Sequence, residues 1–424
     1  MLRLHVFPSL FAGVLLSVSS ASGANQVLVV DESFGPGADF VSIYSAIQAA
    51  GDGDIVLVRP GQYGSATIDG KSLTLIGDVG QNGEHPELRS ILIRNIGPGQ
   101  SAVVRGLNIS SNPILIGQTE SVRVADCAGP VVFEDLSAML EWSFYGQPMA
   151  VRIQNSARVS FTRCSLRGAP SVEIQKTPAR SGIEATGSAV FLYDSEVWGG
   201  DGQDALVNII TDQDALPGAI AVSLITSTLA TVGCTIRGGD GGDGFDTGAL
   251  CRPSADGGVG LVVDGGGIRM DTLIAGGSGG TDPAGCPQIG SDGADVVVQA
   301  GAVQTFNETL RSLEIDSPIR VGQPSTTTYS GVPGEPVGLL LSLNTSLTYA
   351  PGLKGALLPG APLNFIGLGV VPASGVIQFT VPVPGVLSPG LEGIGLFGQA
   401  LAPGQSGFGL LSSPTAIVIV DAAH

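Results

Sequence analysis

Short apolar strands separated by glycine-rich turns recur through the middle of the chain. Each repeat contains a strand, a small turn, a second strand and a closing glycine, and four such segments can be aligned: 150–168, 182–200, 219–239 and 260–277. One apolar column of the alignment, expected to face inward, contains Leu166, Val197, Ile236 and Ile274. A unit that buries its apolar side only by stacking on its neighbour is typical of a solenoid. The pattern therefore predicts a stack of β-coils.

The connections between repeats separate this solenoid from a β-propeller or a β-sandwich, which also have short strands between glycine-rich turns. A propeller blade needs four strands and a fairly constant period of about 40 residues. Here the insertions differ in length and follow the paired glycines at one place in each repeat. Glycine shows no three-residue period along the chain, so a collagen triple helix is excluded. We therefore predict an all-β protein whose main body is a right-handed parallel β-helix.

Small residues form a second column, two positions before the apolar one. We interpret its cysteines as small buried side chains that stay reduced. Cys251 and Cys286 instead lie in glycine- and proline-rich insertions that follow adjacent repeats. Disulfides are permissible in an exported chain, and we predict a bridge between these two residues. The small-residue column contains Cys164, Ser195, Cys234 and Thr272, with Cys127 joining from an earlier segment.

Residues 1–24 have the pattern of a secretory signal peptide. Arg3 gives a basic start, an apolar run follows at 6–18, and small residues at 22–24 offer a cleavage site. A membrane anchor, the alternative, needs about 20 apolar residues without such an exit. Cleavage would make the net charge of −18 more negative by one unit. Such a field repels nucleic acid and anionic membrane surfaces, so neither is an expected partner.

Residues 39–63 predict a short helix followed by a strand. Ser42 can cap the helix, which would cover the open end of the coil stack where apolar interior and unpaired backbone groups are exposed. Strands are predicted at 55–58 and 72–76. The apolar face of the helix would contain Ile43, Ala46, Ile47 and Ala50.

The order of elements in residues 39–63 resembles the opening of pectin methylesterases and other secreted proteins of the pectin-lyase-like superfamily. The shared order is an Ile-Gln-x-Ala helix, a Gly-Asp turn, a strand and Pro-Gly-x-Tyr. The resemblance implies the β-helix fold and carries no catalytic residue with it. The methylesterase motifs Gln-Asp-Thr-Leu and Asp-Phe-Ile-Phe-Gly are missing, as are the polygalacturonase and pectate lyase signatures. A fold of this kind does not by itself give a reaction.

The last hundred residues predict a second, β-sandwich-like module. Short apolar strands are broken there by proline and glycine, and charged residues are rare. Its aromatic content is low for a sugar-stacking platform, so we favour a cap or spacer over a carbohydrate-binding module. The chain is thereby divided into a signal peptide (1–24), a β-helix (25–318) and this module (319–424).

Carboxylates and arginines are the main candidates for chemistry. The three histidines are divided between the signal peptide, a polar loop and the last residue, so a histidine-based triad is not expected. Asp240, Asp243 and Asp246 recur every three residues in a glycine-rich loop. Calcium prefers clustered oxygen ligands, which makes it a candidate cofactor. A solvated turn is the alternative for this loop.

The repeat alignment also predicts a wall of charged and aromatic side chains, because residues in one column lie about 4.8 Å apart on successive coils. Arg163 would neighbour Asp194, and Trp198 would lie between two arginines. Glycan-binding surfaces combine such groups, whereas a row of surface ion pairs without a ligand is the alternative. The predicted binding residues are Arg163, Arg167, Asp194, Glu196, Trp198 and Arg237.

Two classes of function fit these patterns. The missing catalytic motifs favour a noncatalytic secreted protein that binds an extracellular polysaccharide or has a structural role at or outside the cell surface. The alternative is a polysaccharide lyase or glycoside hydrolase acting on extracellular glycans, acidic ones included. A hydrolase would need two carboxyl groups about 5–9.5 Å apart beside a groove. An adhesin-like passenger is a third hypothesis.

Overall fold

The computed structural model describes residues 26–79, 83–110, 120–139, 149–171, 177–207, 212–246, 251–282, 290–383, 386–404 and 409–424. The predicted signal peptide and Cys286 lie outside these ranges. Within them the chain is nearly all β-structure, with the α-helix α1 (Ile43–Ala49) and a turn of 3-10 helix (Pro351–Leu353). The strands of the first part are β1 (Val27–Val30), β2 (Ile55–Val58), β3 (Gln62–Tyr63), β4 (Ala66–Asp69), β5 (Leu73–Gly77), β6 (Glu87–Leu88), β7 (Ile91–Arg94), β8 (Ala102–Arg105), β9 (Asn108–Ile109), β10 (Glu120–Ala125), β11 (Val131–Glu134), β12 (Ser137–Met139), β13 (Met149–Gln154), β14 (Val159–Thr162), β15 (Ser165–Arg167), β16 (Ile183–Thr186), β17 (Ala189–Tyr193), β18 (Glu196–Trp198), β19 (Leu206–Val207), β20 (Asp212–Gln213), β21 (Val222–Val232), β22 (Thr235–Arg237), β23 (Phe245–Asp246), β24 (Cys251–Arg252), β25 (Leu261–Met270), β26 (Leu273–Ala275) and β27 (Val296–Phe306).

Parallel pairing between successive coils builds three walls. The covered wall contains β1, β2, β5, β8, β11, β14 and β17, the short wall contains β3, β6, β9, β12, β15, β18, β22 and β26, and the third wall contains β4, β7, β10, β13 and β16. The long strand β21 belongs to two walls, because it pairs with β16 at one end and with β17 at the other. The right-handed parallel β-helix is confirmed. The predicted inward column is paired in register and buried: Leu166, Val197, Ile236 and Ile274.

Small inward side chains form hydrogen-bonded ladders at two corners of the coils. At the corner between the covered and short walls, the Cys164 N–H donates to the Ser195 Oγ at 3.0 Å, as the predicted column requires. Cys127 was assigned to this column wrongly. It lies at the corner between the third and covered walls, where its N–H donates to the Ser156 Oγ at 3.3 Å. Both corners have a left-handed residue followed by a small inward one, so the local pattern does not distinguish them.

The cysteines fall into the two predicted groups. Cys127, Cys164 and Cys234 are free and buried, whereas Cys251 is disulfide-bonded. Burial raises the pKa of the Cys234 thiol to about 12 and also raises the pKa values of the other two, so these thiols stay protonated. Because Cys286 lies outside the described residues, the predicted Cys251–Cys286 pairing stays a prediction.

Helix α1 lies over the first coils, as expected of a lid. The Ser42 Oγ caps its N-terminus by accepting from the Ser45 N–H at 3.3 Å. Its C-terminus is held by Lys71 from a following coil, whose Nζ donates to the carbonyls of Ile47 at 2.9 Å and Ala50 at 2.7 Å. A helix of seven residues needs such packing and end contacts, since its intrinsic stability in water is marginal. The buried face contains Ile43, Ala46 and Ile47.

Glycine-rich insertions of successive coils pack against one another as extended segments, which we call the glycine finger (residues 199–205, 214–219, 238–244, 252–258, 276–282 and 290–295). Backbone bonds join the segments: the Gly239 N–H donates to the Ala219 carbonyl at 2.9 Å. A Cβ on Gly239 would lie 1.9 Å from the Gly200 oxygen, so only glycine permits this approach. Residues 238–243 read Gly-Gly-Asp twice. Glycine thus recurs every three residues within this short segment, although it has no such period along the whole chain.

The C-terminal module is the predicted β-sandwich. A three-stranded sheet, β28-β30-β35, faces a six-stranded sheet in which β29, β38, β36, β31 and β34 follow one another and β37 pairs with β36. Because β28 pairs with β30, the sandwich begins a few residues before the boundary predicted at 318/319. The strands are β28 (Ser312–Ile315), β29 (Ile319–Arg320), β30 (Pro324–Ser330), β31 (Pro336–Ser342), β32 (Thr345–Ala350), β33 (Gly355–Pro359), β34 (Asn364–Val370), β35 (Val376–Pro382), β36 (Gly393–Pro403), β37 (Gly409–Leu411) and β38 (Thr415–Val420).

The sandwich packs sideways on the covered wall. Outward side chains of the wall, among them Phe191 and Met270, form one apolar cluster with Leu358 and Phe397 of the module. Polar contacts accompany this packing, since the Tyr193 hydroxyl accepts from the Ala356 N–H at 2.7 Å. The module is therefore bound along the side of the β-helix and does not trail from its end.

Four charged side chains are enclosed where the two parts meet. Glu134 is fully buried, and its carboxylate pairs with Arg105 at 3.2 Å and with Arg163. The same carboxylate accepts from the Thr415 hydroxyl and the Ala416 N–H of the module, both at 2.6 Å. Asp135 completes the group by pairing with both arginines, at 3.0 Å and 2.7 Å. Every charge of this cluster thus has a partner of the opposite sign.

We expect Glu134→Gln to lower the free energy of unfolding by about 3 kcal/mol, because removing one member of a buried pair leaves uncompensated charge. Chemical denaturation followed by intrinsic fluorescence measures this change. The control is Glu184→Gln on the third wall, whose half-exposed ion pair with Arg152 at 3.6 Å should contribute about 0–1 kcal/mol. Equal effects of the two substitutions would show that the Glu134 cluster does not hold the two parts together.

We expect Gly239→Ala to lower the thermal midpoint by several degrees, since the added methyl group would overlap the Gly200 carbonyl. The matched control is Gly367→Ala in β34, where a Cβ meets nothing within 4 Å. Differential scanning calorimetry of both variants compares them directly. A midpoint for Gly239→Ala that matches the control would contradict the close packing of the glycine finger.

Candidate functional site

The short wall carries most of the predicted binding residues in the predicted register. Strands β15, β18 and β22 pair side by side, so that two outward rows run along the helix axis. Glu196 is exposed, and its neighbours in the row are half-buried hydroxyl residues. The first row contains Ser137, Ser165, Glu196, Thr235 and Leu273, and the second contains Met139, Arg167, Trp198, Arg237 and Ala275.

Trp198 lies between two guanidinium groups. The Arg167 Cζ is 5.6 Å from the centroid of the indole ring, and the Arg237 Cζ on the next coil is 6.0 Å away. Cation–π contacts of this kind contribute about 0.5–1 kcal/mol at exposed positions. Because the stacking direction is the helix axis, the arginines occupy the two faces of the ring. A ligand would therefore meet the edge of the indole, because both faces of the ring are occupied.

The two arginines are tied to the glycine finger. Arg167 pairs with Asp201, and Arg237 pairs with Asp240 at 2.9 Å. The aspartates are themselves joined, because the Asp240 N–H donates to the Asp201 Oδ1 at 3.1 Å. Sequence reasoning missed both carboxylate partners, although each follows a Gly-Gly pair at the same position of its repeat. The arginines thus contribute little net positive charge to the wall.

Arg163 and Asp194 do not belong to the short wall. They lie at the corner between the covered and short walls, where both adopt left-handed backbone angles (φ 50° and 49°). Arg163 turns towards the module and donates to the Leu313 carbonyl at 3.2 Å. Burial alone would lower the pKa of its guanidinium, but attraction to Glu134 and Asp135 outweighs this effect and raises the pKa. The expected binding role is corrected to an interdomain contact.

Asp194 is the corner neighbour of Arg163 on the next coil, as the alignment predicted. Burial raises the pKa of its carboxyl, and the charge of Arg163 acts in the opposite direction. Because Asp194 is partly buried at the corner, its carboxyl group does not belong to the outward rows of the short wall. The repeat alignment gave the correct column, but it could not show that this column is covered.

The predicted calcium ligands are not brought together. The Asp240 Oδ1 accepts from the Ser278 N–H at 2.7 Å, and the Asp243 Oδ1 accepts from the Thr281 N–H at 2.7 Å. Asp246 lies in the hairpin of β23 and β24. Among the described residues, no group of three or more histidine, cysteine, aspartate or glutamate side chains could hold a metal ion. The clustered aspartates instead receive backbone N–H groups of the glycine finger, so the calcium hypothesis is not retained.

A small cavity of about 270 Å³ lies at the N-terminal end of the short wall. Two carboxylates, Glu32 and Glu87, line it. Both are hydrogen-bonded: the Glu32 Oε2 accepts from the Gln62 N–H at 2.8 Å, and the Glu87 Oε1 accepts from the Ser110 hydroxyl. In this cavity two carboxylates therefore lie together beside the short wall. Neither residue was predicted from the sequence as a site residue.

No protein-family model matches the chain, and no curated protein matches it significantly. Among solved structures, a pectin methylesterase from Aspergillus niger is 13% identical over 68% of this chain and 86% of that chain, with a TM-score of 0.36. A pectin methylesterase in complex with hexasaccharide VII is 15% identical over 55% and 85%, with a TM-score of 0.24.

A third solved structure is a superoxide reductase (neelaredoxin) from Ignicoccus hospitalis, 14% identical over 26% of this chain and 81% of that chain, with a TM-score of 0.17. These TM-scores are low, so what this chain binds or does must rest on its own residues. Within the described part of the chain, no helix is long and apolar enough to cross a membrane.

Proposed function

We propose that the protein is exported and binds a neutral polysaccharide along the short wall without cleaving it. The observation that carries this proposal is the register of the two outward rows, which places the Glu196 carboxylate and the Trp198 indole on one coil between hydroxyl side chains of the neighbouring coils. Successive coils are about 4.8 Å apart, so these groups form a straight surface on which an extended glycan chain can lie. The exposed Glu196 can accept hydrogen bonds from sugar hydroxyls, and the edge of Trp198 offers an apolar contact.

The charges of the wall favour a neutral ligand over an acidic one. Arg167 and Arg237 are the cations of the second row, and both are paired with carboxylates of the glycine finger. An acidic sugar would have to displace Asp201 or Asp240 to reach them, while the net charge of the whole chain, −18, repels it. A neutral sugar can instead use the carboxylates as acceptors and needs no displacement.

Two features support export. The pattern of residues 1–24 is that of a secretory signal peptide. Cys251 is disulfide-bonded, and stable disulfides form in oxidising compartments outside the cytosol. A location at or beyond the cell surface would also give the wall access to polysaccharides.

A second candidate function is hydrolysis or lyase chemistry at the N-terminal cavity. Its support is the presence of Glu32 and Glu87 in one cavity beside the short wall. Glycoside hydrolases use two carboxyl groups, one as acid and the other as nucleophile or base. The hydrogen bonds that both carboxylates make within the protein favour a structural role, so binding without cleavage is the preferred function.

We expect no cleavage when the protein is incubated with a panel of neutral and acidic glycans. The measurement is twofold, new reducing ends for hydrolysis and ultraviolet absorbance of unsaturated products for a lyase. Cleavage by the wild-type protein that is lost in Glu87→Gln would establish hydrolysis or lyase chemistry at the N-terminal cavity and overturn the noncatalytic proposal. Reaction that is equal in both would indicate a contaminating enzyme, which a repeat with protein purified by a second route would remove.

We expect Trp198→Ala to weaken binding to a retained neutral glycan by about fivefold, since the loss of a partly buried aromatic contact costs on the order of 1 kcal/mol. Glu196→Ala should weaken it as well, because a carboxylate acceptor is lost. Affinity gel electrophoresis in soluble polysaccharides measures both. The matched control is Glu184→Ala on the third wall, which should bind as wild type does. If folded Trp198→Ala and Glu196→Ala proteins bind as well as the control, the short wall is not the binding surface.

A further inference from the structure

A cavity of about 700 Å³ lies between the covered wall and the hairpin of β32 and β33. The floor is formed by outward positions of the last coils, and the roof is formed by the hairpin residues Leu347, Thr348 and Tyr349. Its mouth opens at β27, where Ala302 and Gln304 are exposed. The volume lies within the range of about 300–1,000 Å³ that is usual for small-molecule sites. Polysaccharide binding on the short wall does not use this cavity.

The floor is kept low by small side chains at one outward row. Ala189 pairs with Thr228, Thr228 with Gly266, and Gly266 with Ala302. Elsewhere along the covered wall, outward side chains such as Met270 fill the space against the module. The cavity therefore exists because this row lacks large side chains where the hairpin passes over it.

Gly266 is not required by the backbone or by packing. A Cβ placed on it would meet only the Thr228 Cγ2, at 4.0 Å, and its φ lies outside the left-handed region. The preceding Gly265 is different, because its φ is 138° and a Cβ there would lie 2.1 Å from the Ser227 oxygen. Gly266 could thus carry a side chain, and the effect of its being glycine is to leave the cavity empty.

The lining indicates the chemistry of an occupant. Phe191 and Phe306 provide aromatic surface, and the hydroxyl of Tyr349 and the amide of Gln304 are polar groups at the edge. Arg158 is the charged residue among the described residues that line the cavity, and one of its nitrogens donates to the Ser346 carbonyl at 3.0 Å. The lining is thus apolar, with Arg158 as its cationic side chain, while the Lys354 ammonium lies 4.9 Å from the centroid of the Phe306 ring and pairs with Glu308 at 3.9 Å.

We propose that this cavity binds a monoanionic amphiphile, a molecule with a ring-sized apolar body and one acid group. The apolar body would lie on the floor at Gly266 between the aromatic side chains, and the acid group would pair with Arg158. The positive charge of Arg158 gives such a ligand an advantage over a neutral molecule of the same shape, because a charge-assisted contact inside the cavity is short-ranged and strong, whereas the repulsion from the net charge of −18 is screened by salt.

Two fluorescent probes test the proposal on the full mature chain. 8-Anilinonaphthalene-1-sulfonate has a naphthylamine body and one negative charge, whereas N-phenyl-1-naphthylamine has the same body without the sulfonate. Wild type should bind both saturably at one site, and the anionic probe more tightly. Gly266→Leu should weaken both probes at least about tenfold by filling the floor, while raising or preserving the thermal midpoint. Ala302→Trp, at the exposed mouth of the cavity, should block probe binding in the same way without changing a buried residue.

Arg158 is tested by the difference between the probes. Arg158→Gln should weaken the anionic probe about tenfold and leave the neutral probe within about twofold, as expected for loss of one charge-assisted contact. Arg158→Lys should retain the preference for the anion. The matched control is Gly367→Leu in β34, a glycine with open space around it and far from the cavity lining. It should bind both probes as wild type does.

The proposal is overturned if Gly266→Leu and Ala302→Trp both fold and bind the probes as wild type does. It is equally overturned if Arg158→Gln weakens both probes to the same extent, because the site would then not select an anion. Glycan binding is unaffected by these variants if the short wall is the glycan surface, so the outcome is independent of the proposed function.

Discussion

The apolar outer face of the covered wall determines how the whole molecule is arranged. The coils of a β-helix bury only their inward side chains, yet outward residues of this wall such as Phe191, Val232 and Met270 are also apolar. A surface of this kind exposed to water would promote association. The sandwich removes it from water along most of its length. The cover leaves the short wall as a face where exposed polar side chains can meet a ligand.

Buried polar contacts fix the position of the sandwich on that face. Apolar packing alone tolerates sliding, whereas the Glu134 carboxylate is satisfied only when Thr415 and Ala416 lie against it and Arg105 and Arg163 flank it. Because unpaired buried charge is costly, neighbouring registers of the module are disfavoured. Where the two surfaces do not match, as over the small-residue row at Gly266, the fixed register leaves a cavity.

The features predicted from sequence are those that depend on local period. Local spacing predicts the inward column, the lid helix and the neighbouring positions of Arg167, Trp198 and Arg237. The structure has all three in the predicted places. The cover over the wall was missed because it depends on contacts between residues far apart in the chain, such as Arg163 and Leu313, which are 150 residues apart. One local signal existed: strands such as Val131–Glu134 are apolar without alternation, which indicates burial on both faces.

Ion pairs with the glycine finger hold the side chains of the short wall in place, and this affects how the wall can bind a glycan. Asp201 and Asp240 anchor the arginines that clamp Trp198, and the aspartates are fixed by backbone bonds that need glycine at each contact. A clamped surface loses little side-chain entropy when a ligand arrives, although the coil of β18 offers only the edge of one indole and the neighbouring coils offer only a few hydrogen bonds. Affinity on such a surface must therefore come from several coils acting together on one chain. A long polymer satisfies this requirement, and a short oligosaccharide does not.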